Sequence, residues 1–166
     1  MQFQIGDRVI HPVHGVGTIM GYTEQQFVEG NIQHYYEVTT AGAHSSRLWV
    51  PINEQGSTTL RKIASKQTLG ECRRLLRATP IPFDKNRKVR QVEIAMRLKD
   101  GLLPALCVMV RDLRARSKKL TLGATEETLL KRISKALCEE WAASEEVSPA
   151  TALCEIEDLL RENHLD

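Results

Sequence analysis

The hydrophobic period of this chain changes once, near residue 60, and the change leaves few folds open. Up to Leu60 the pattern is that of short strands. Arg8 to His11, Val16 to Tyr22, Gln25 to Val28, Gln33 to Thr40 and Arg47 to Val50 are rich in β-branched and aromatic residues. Pro12 to Gly15, Glu29-Gly30 and the stretch from Ala41 to Ser46 supply turn chemistry between them. Beyond Leu60 the spacing becomes helical: Leu69, Cys72, Leu75 and Leu76; Ile94, Ala95 and Leu98; Leu103, Leu106, Val110 and Leu113; Leu129, Leu130, Ile133, Leu137 and Trp141. Ser148 and Pro149 have the chemistry of an N-cap and a first helical position, ahead of Leu153, Ile156, Leu159 and Leu160. Two prolines in T-P-I-P-F-D interrupt the first two helices, and Asp84 can cap the second. The pattern predicts an α+β protein of two domains: a small SH3/Tudor-like β-barrel over residues 1–60 and a compact bundle of about five helices over residues 61–166.

Charge is sorted along the same chain. Residues 1–60 carry a net −3, residues 61–120 hold 17 Lys and Arg against 5 Asp and Glu for a net +12, and residues 121–166 carry −7, within a total of +2. A basic block of this density attracts polyanions and releases counterions on meeting phosphates, so nucleic acid is the expected partner of the middle of the chain. Lys85, Arg87, Lys88 and Arg90 open a helix beside Arg97, seven residues on from Arg90 along one edge, and are the candidate DNA contacts. Arg111, Arg114, Arg116, Lys118 and Lys119 form a second cluster, where cations also offset the negative end of a helix dipole.

Other chemistries find little support. Cys72, Cys107, Cys138 and Cys154 stand far apart, without a C-x-x-C pair or a neighbouring histidine, and are expected to be reduced thiols in helices. His11 and His14 flank Pro12 without a third ligand close by, so no metal is expected. No phosphate-binding glycine loop, G-x-S-x-G or H-E-x-x-H occurs, so neither an enzyme nor a cofactor is expected. The start, M-Q-F-Q-I-G-D-R, lacks the cationic and apolar regions of a signal peptide, and no stretch approaches a membrane span. The expectation is a cytoplasmic, nucleoid-associated monomer. Trp141 continues the Ile133 and Leu137 stripe and is assigned to the core.

The run F-Q-I-G-D-R-V-I-H-P-V-H-G-V-G-T-I, residues 3–19, resembles the opening of the CarD/CdnL family, whose barrel is shared with the RNA polymerase interaction module of the transcription-repair coupling factor. Y-Y-E-V at 35–38 and L-W-V-P-I at 48–52 fall where that barrel has later strands, and M-V-R-D-L at 109–113, preceded by Gly101, is similar to a motif of the family's helical part. The resemblance implies a bacterial transcription regulator without catalytic activity. It would dock on the lobe of the polymerase β subunit by strand-edge pairing and touch promoter DNA at the upstream edge of the melted bubble. Carried over by position, the docking residues are Gln26, Phe27 and Val28, with Trp49 nearby on a later strand. Relatives place a tryptophan wedge where this chain has Arg87, and arginines where it has Gln26 and Trp49. G-D-x-V…G-x-G also resembles KOW-like barrels, so a ribosome- or RNA-associated module is the alternative, although a barrel carrying −3 is a poor fit to RNA.

Overall fold

The computed structural model describes residues 2–28, 31–41 and 45–162, apart from the side chains at 27, 28 and 31. The chain divides into two compact units, Met1–Ile63 and Ala64–Asp166.

The first unit is a five-stranded antiparallel sheet formed by β1 (Arg8–His11), β2 (Gly15–Val28), β3 (Asn31–Thr40), β4 (Arg47–Ile52) and β5 (Arg61–Lys62), in the order β4-β3-β2-β1-β5. The strands expected at Val16 to Tyr22 and Gln25 to Val28 are therefore one. Thr23 and Glu24 keep the pairing through, opposite Tyr35 and His34. The fifth strand is Arg61–Lys62, which lies past Leu60 and pairs with Val9 and Ile10. Register shifts between Ile19 and Gly21 and between Gln26 and Val28 bend the long strand.

Alternation then selects one face as core: Val9, Ile19, Tyr36, Val38, Val50 and Ile52, joined by Phe3 and Leu60. The Tyr36 hydroxyl accepts from the Gln2 and Phe3 backbone N–H groups at 2.9 and 3.2 Å, so the phenol ties the N-terminal segment over this core. Two glycines are obligatory for different reasons. Gly15 adopts φ 72° in the turn into β2. A Cβ on Gly17 would stand 2.5 Å from Val38 Cγ1.

In the second unit, helices α1 (Lys66–Arg77), α2 (Arg87–Arg97), α3 (Leu103–Lys119), α4 (Ala124–Glu145) and α5 (Pro149–Glu162) enclose Trp141, Leu69, Leu76, Leu103, Met109, Leu113 and Leu137. Ser65 caps α1 and Ser148 caps α5, each through a hydroxyl accepting a backbone N–H at 3.1 Å. The cap of α2 is Asn86, whose side chain accepts from the Lys88 N–H at 2.9 Å. Asp84 instead accepts from the Asn86 N–H in a turn ahead of the helix, so Lys85 precedes α2 rather than opening it. Gly101, at φ 57°, separates α2 from α3.

Candidate functional site

Among the described residues, eight of the 17 cations of the basic block form ion pairs within the helical unit. Arg73 of α1 donates to Glu155 of α5 at 2.7 Å and to Glu145 of α4 at 2.9 Å, and its guanidinium lies 5.3 Å from the Trp141 ring centroid. Its hydrogen bonds to both carboxylates raise its pKa above the ordinary arginine value. Lys66 pairs with Glu145, Arg77 with Glu162 and Arg114 with Glu157. Five acidic residues of the −7 segment, Glu126, Glu145, Glu155, Glu157 and Glu162, thus serve as counter-charges of the +12 segment, and folding undoes part of the sorting seen along the chain.

Two of the expected DNA contacts belong to this internal set. Arg90 is 6% exposed. Its Nε donates to Glu126 of α4 at 2.5 Å, and Nη1 donates to the carbonyls of Asp84 and Lys85. Arg97 pairs with Asp112 of α3 at 3.1 Å and with Glu93 within α2, and lies 5.4 Å from the Phe83 ring centroid. Arginines already chelated by buried carboxylates are not presented to a phosphate. The spacing of 90, 94 and 97 signals this, because it places both arginines on the same helical face as buried Ile94. Phe83 is itself buried and cannot act as a surface wedge.

Asp112 is the node of this arrangement. Fully buried, it accepts from Arg111 Nε at 2.8 Å, from Arg97 and from the Ile81 N–H at 3.0 Å, while Arg111 Nη1 donates to the Leu75 carbonyl. The R-D pair of M-V-R-D-L thereby joins the end of α1, the proline-containing linker and α2. Glu126 does the same at the other end of α2, with Arg116 3.7 Å away on its far side. Burial pushes the Glu126 carboxyl up. The Arg90 hydrogen bond, the Gly123 N–H and the charges of Arg90 and Arg116 outweigh burial and hold it below the usual range.

The exposed cations of the block include one compact group at the start of α2. Lys85, Arg87 and Lys88 are exposed and form no ion pair among the described residues. They stand beside an uncovered apolar ridge on α2, formed by Val89, Val92 and Met96, the last 71% exposed. The ridge was not among the expected site residues. Its signature is the i, i+3, i+7 spacing on the face of α2 that Ile94 does not share. Arg111, Arg114 and Arg116 of the second basic cluster are all paired, with Asp112, Glu157 and Glu126 respectively.

In the sheet, the pairing of β2 with β1 ends at Thr18, opposite Arg8. Beyond Ile19, the edge of β2 facing away from β3 has no strand partner among the described residues, and Gln26 lies on that stretch. The side chains of Phe27 and Val28 lie outside the described residues. Trp49 is half exposed on β4, an end strand of the sheet. It is not near Gln26. Trp49 is in register with Glu37 and Gly21, whereas Gln26 pairs with Ile32, five residues from Glu37 on β3 and so on the opposite face. Two strand spacings, roughly 10 Å, and five residues, roughly 17 Å, separate them.

The turn between β1 and β2 explains H-P-V-H without a metal. His11 Nδ1 accepts the Val13 and His14 backbone N–H groups, each at 3.1 Å. Burial and the neighbouring His14 lower the His11 pKa, in keeping with a ring that serves as an acceptor. No group of three metal-ligating side chains occurs among the described residues. No described helix is long and apolar enough to cross a membrane. All four cysteines are free thiols; Cys72 and Cys107 are buried, and Cys154 is exposed.

Residues 3–64 match the family described as CarD-like/TRCF RID domain, and residues 71–157 match the one described as CarD, C-terminal domain. These matches decide against the KOW-like alternative. The chain is also similar to the "Putative transcription factor YdeB" of Bacillus subtilis (strain 168), with 28% identity over 147 residues that cover 83% of this chain and 89% of the relative. With both units matched in order, and with the R-D node and G-V-G turn serving the fold rather than a reaction, the chain belongs to the CarD family of non-enzymatic transcription regulators.

Proposed function

We propose that this protein docks on the lobe of the RNA polymerase β subunit through its N-terminal sheet and contacts promoter DNA, near the upstream edge of the melted bubble, through the start of α2. The observation that carries the DNA part is the sorting of the cations. The bundle pairs Arg73, Arg77, Arg90, Arg97, Arg111 and Arg114 with its own carboxylates, whereas Lys85, Arg87 and Lys88 stand exposed side by side. Phosphates bind exposed cations, and an apolar ridge next to them suits a distorted base step. Arg87 enters a narrow minor groove electrostatically but cannot wedge as a ring does, so the preference for a fork over plain duplex should be small. Association with polymerase and promoter would make the protein nucleoid-associated.

Docking is supported by two open edges, β2 beyond Ile19 and the outer edge of β4, because unpaired N–H and C=O groups accept an added strand. An exposed tryptophan on one of them is the kind of side chain that dominates interface energetics. Trp49→Ala is expected to leave thermal stability within about 0.5 kcal/mol and to weaken binding of the purified β subunit by about 2 kcal/mol or more, roughly 30-fold. Titration of the labelled protein with β subunit, followed by fluorescence anisotropy, reads the affinity. Unchanged affinity in Trp49→Ala, together with loss in Gln26→Pro, would transfer docking to the β2 edge; unchanged affinity in both would remove the sheet from the interface.

A further inference from the structure

On the face of the sheet opposite Tyr36, Val38 and Val50, one row of the register runs Gly21, Glu37, Trp49 across β2, β3 and β4. Directly opposed residues in such a row carry Cβ atoms roughly 5 Å apart. Glu37 therefore stands in mid-sheet between a bare glycine and an indole that is 51% exposed. A Cβ at position 21 would lie 3.6 Å from Glu37 Oε2, so the carboxylate extends over the Gly21 backbone. It is half-buried and forms no hydrogen bond or ion pair among the described residues. Arg47, two residues before Trp49 and in register with Thr39, is exposed and forms no ion pair among them either. A carboxylate that has lost part of its water and gained no counter-charge attracts a cation more strongly than one in open solvent.

The row continues past Trp49 onto any strand added to the outer edge of β4, an end strand of the sheet. We infer that the docking strand of the polymerase β subunit presents an arginine at this point, and that Trp49 and Glu37 together receive its guanidinium. The inference rests on the docking proposed above and commits that docking to the β4 edge. A residue opposite Trp49 on the added strand shares its face and stands two strand spacings, roughly 10 Å, from Glu37. An extended arginine and a glutamate close that span between them. On the way the guanidinium lies along the indole, where cation–π attraction holds it, and its nitrogens donate to the carboxylate as a fork. A lysine would reach the carboxylate but lacks the planar fork. The sign is that of the whole segment, since residues 1–60 carry −3. Gly21 keeps the carboxylate accessible, because a long side chain there would cover it.

The test titrates full-length protein with purified β subunit at low and at high salt, with fluorescence anisotropy reading the affinity. Glu37→Gln keeps the size of the side chain and loses no partner in the fold, so the melting temperature should not change. Binding should weaken about tenfold at low salt, and its salt dependence should flatten. Gly21→Arg sets a resident cation on the carboxylate and should weaken binding to a similar extent, and in Gly21→Arg/Glu37→Gln the two losses should not add. Full affinity in Glu37→Gln alongside a loss in Trp49→Ala would overturn the inference and leave docking at β4 standing. A loss confined to Gln26→Pro would overturn it by moving docking to β2, and full affinity in all three would remove the docking reading with it. If Arg47→Ala reproduces the loss and the flattened salt dependence of Glu37→Gln, the carboxylate serves Arg47 in the complex and the inference is likewise overturned.

Discussion

Asp112→Ala is expected to destabilise the helical unit by about 3–5 kcal/mol, because it leaves the buried Arg111 guanidinium without its carboxylate and also strips a partner from Arg97 and from the Ile81 N–H. For a unit of this size that corresponds to a fall in melting temperature of at least about 12 °C. Asp112→Asn keeps an acceptor for the Ile81 N–H while removing the charge, and should fall between the two. Chemical denaturation followed by helical circular dichroism reads the difference. A loss below about 1 kcal/mol for the alanine variant would mean that the linker and α2 are seated by apolar contacts instead.

The second large effect concerns the other end of α2. The helix buries little apolar surface, with Ile94 buried and Leu98 partly so, and carries an exposed ridge on its outer face. Its position therefore depends on Arg90–Glu126 and Arg97–Asp112. Arg90→Ala leaves Glu126 buried beside Arg116 alone, at a cost of about 3–5 kcal/mol. The loss should appear first as local opening, with amides of residues 87–98 exchanging faster than those of α1 and α3. Acid should do the same. The Glu126 carboxyl lies below its reference of 4.5 in the fold, so its contribution is present above pH 4.5 and is lost as pH falls through the lowered value. Replacing both partners with apolar residues, Arg90→Met with Glu126→Leu, should recover much of the stability, since no charge is then left buried. Exchange of α2 that matches the wild type in Arg90→Ala would contradict this seating.

The division into sheet and helices is legible in the chain because both periods are local properties. The merging of two expected strands into β2 is not, since Tyr22 to Glu24 stay extended only by pairing with β3. Nor is β5, whose two residues exist as a strand only because β1 lies beside them. The cap of α2 is a competition between Asp84 and Asn86, two residues of similar capping strength, which geometry alone resolves.

The basic block is the instructive case. Its charge is read without difficulty, but its partners are not, since Arg73 finds Glu145 and Glu155 more than 70 residues later. Among the described residues of the block, Glu93 and Arg97 form the pair that i, i+4 spacing makes visible in sequence. A count of +12 thus overstates what is offered to DNA. Helical periodicity, which sets Arg90 and Arg97 on one face with the apolar Ile94, corrects part of that overstatement from the sequence alone.

The most direct measurement is the slope of log affinity against log salt for full-length protein on promoter-length duplex, for the wild type and for Lys85→Ala/Arg87→Ala/Lys88→Ala. If these three exposed cations neutralise one phosphate each, the variant loses roughly 2.7 from the magnitude of the slope, about 0.9 per contact, and weakens on all sequences alike while its melting temperature is unchanged. A slope that does not move in this variant would contradict the assignment of the DNA contact to the start of α2.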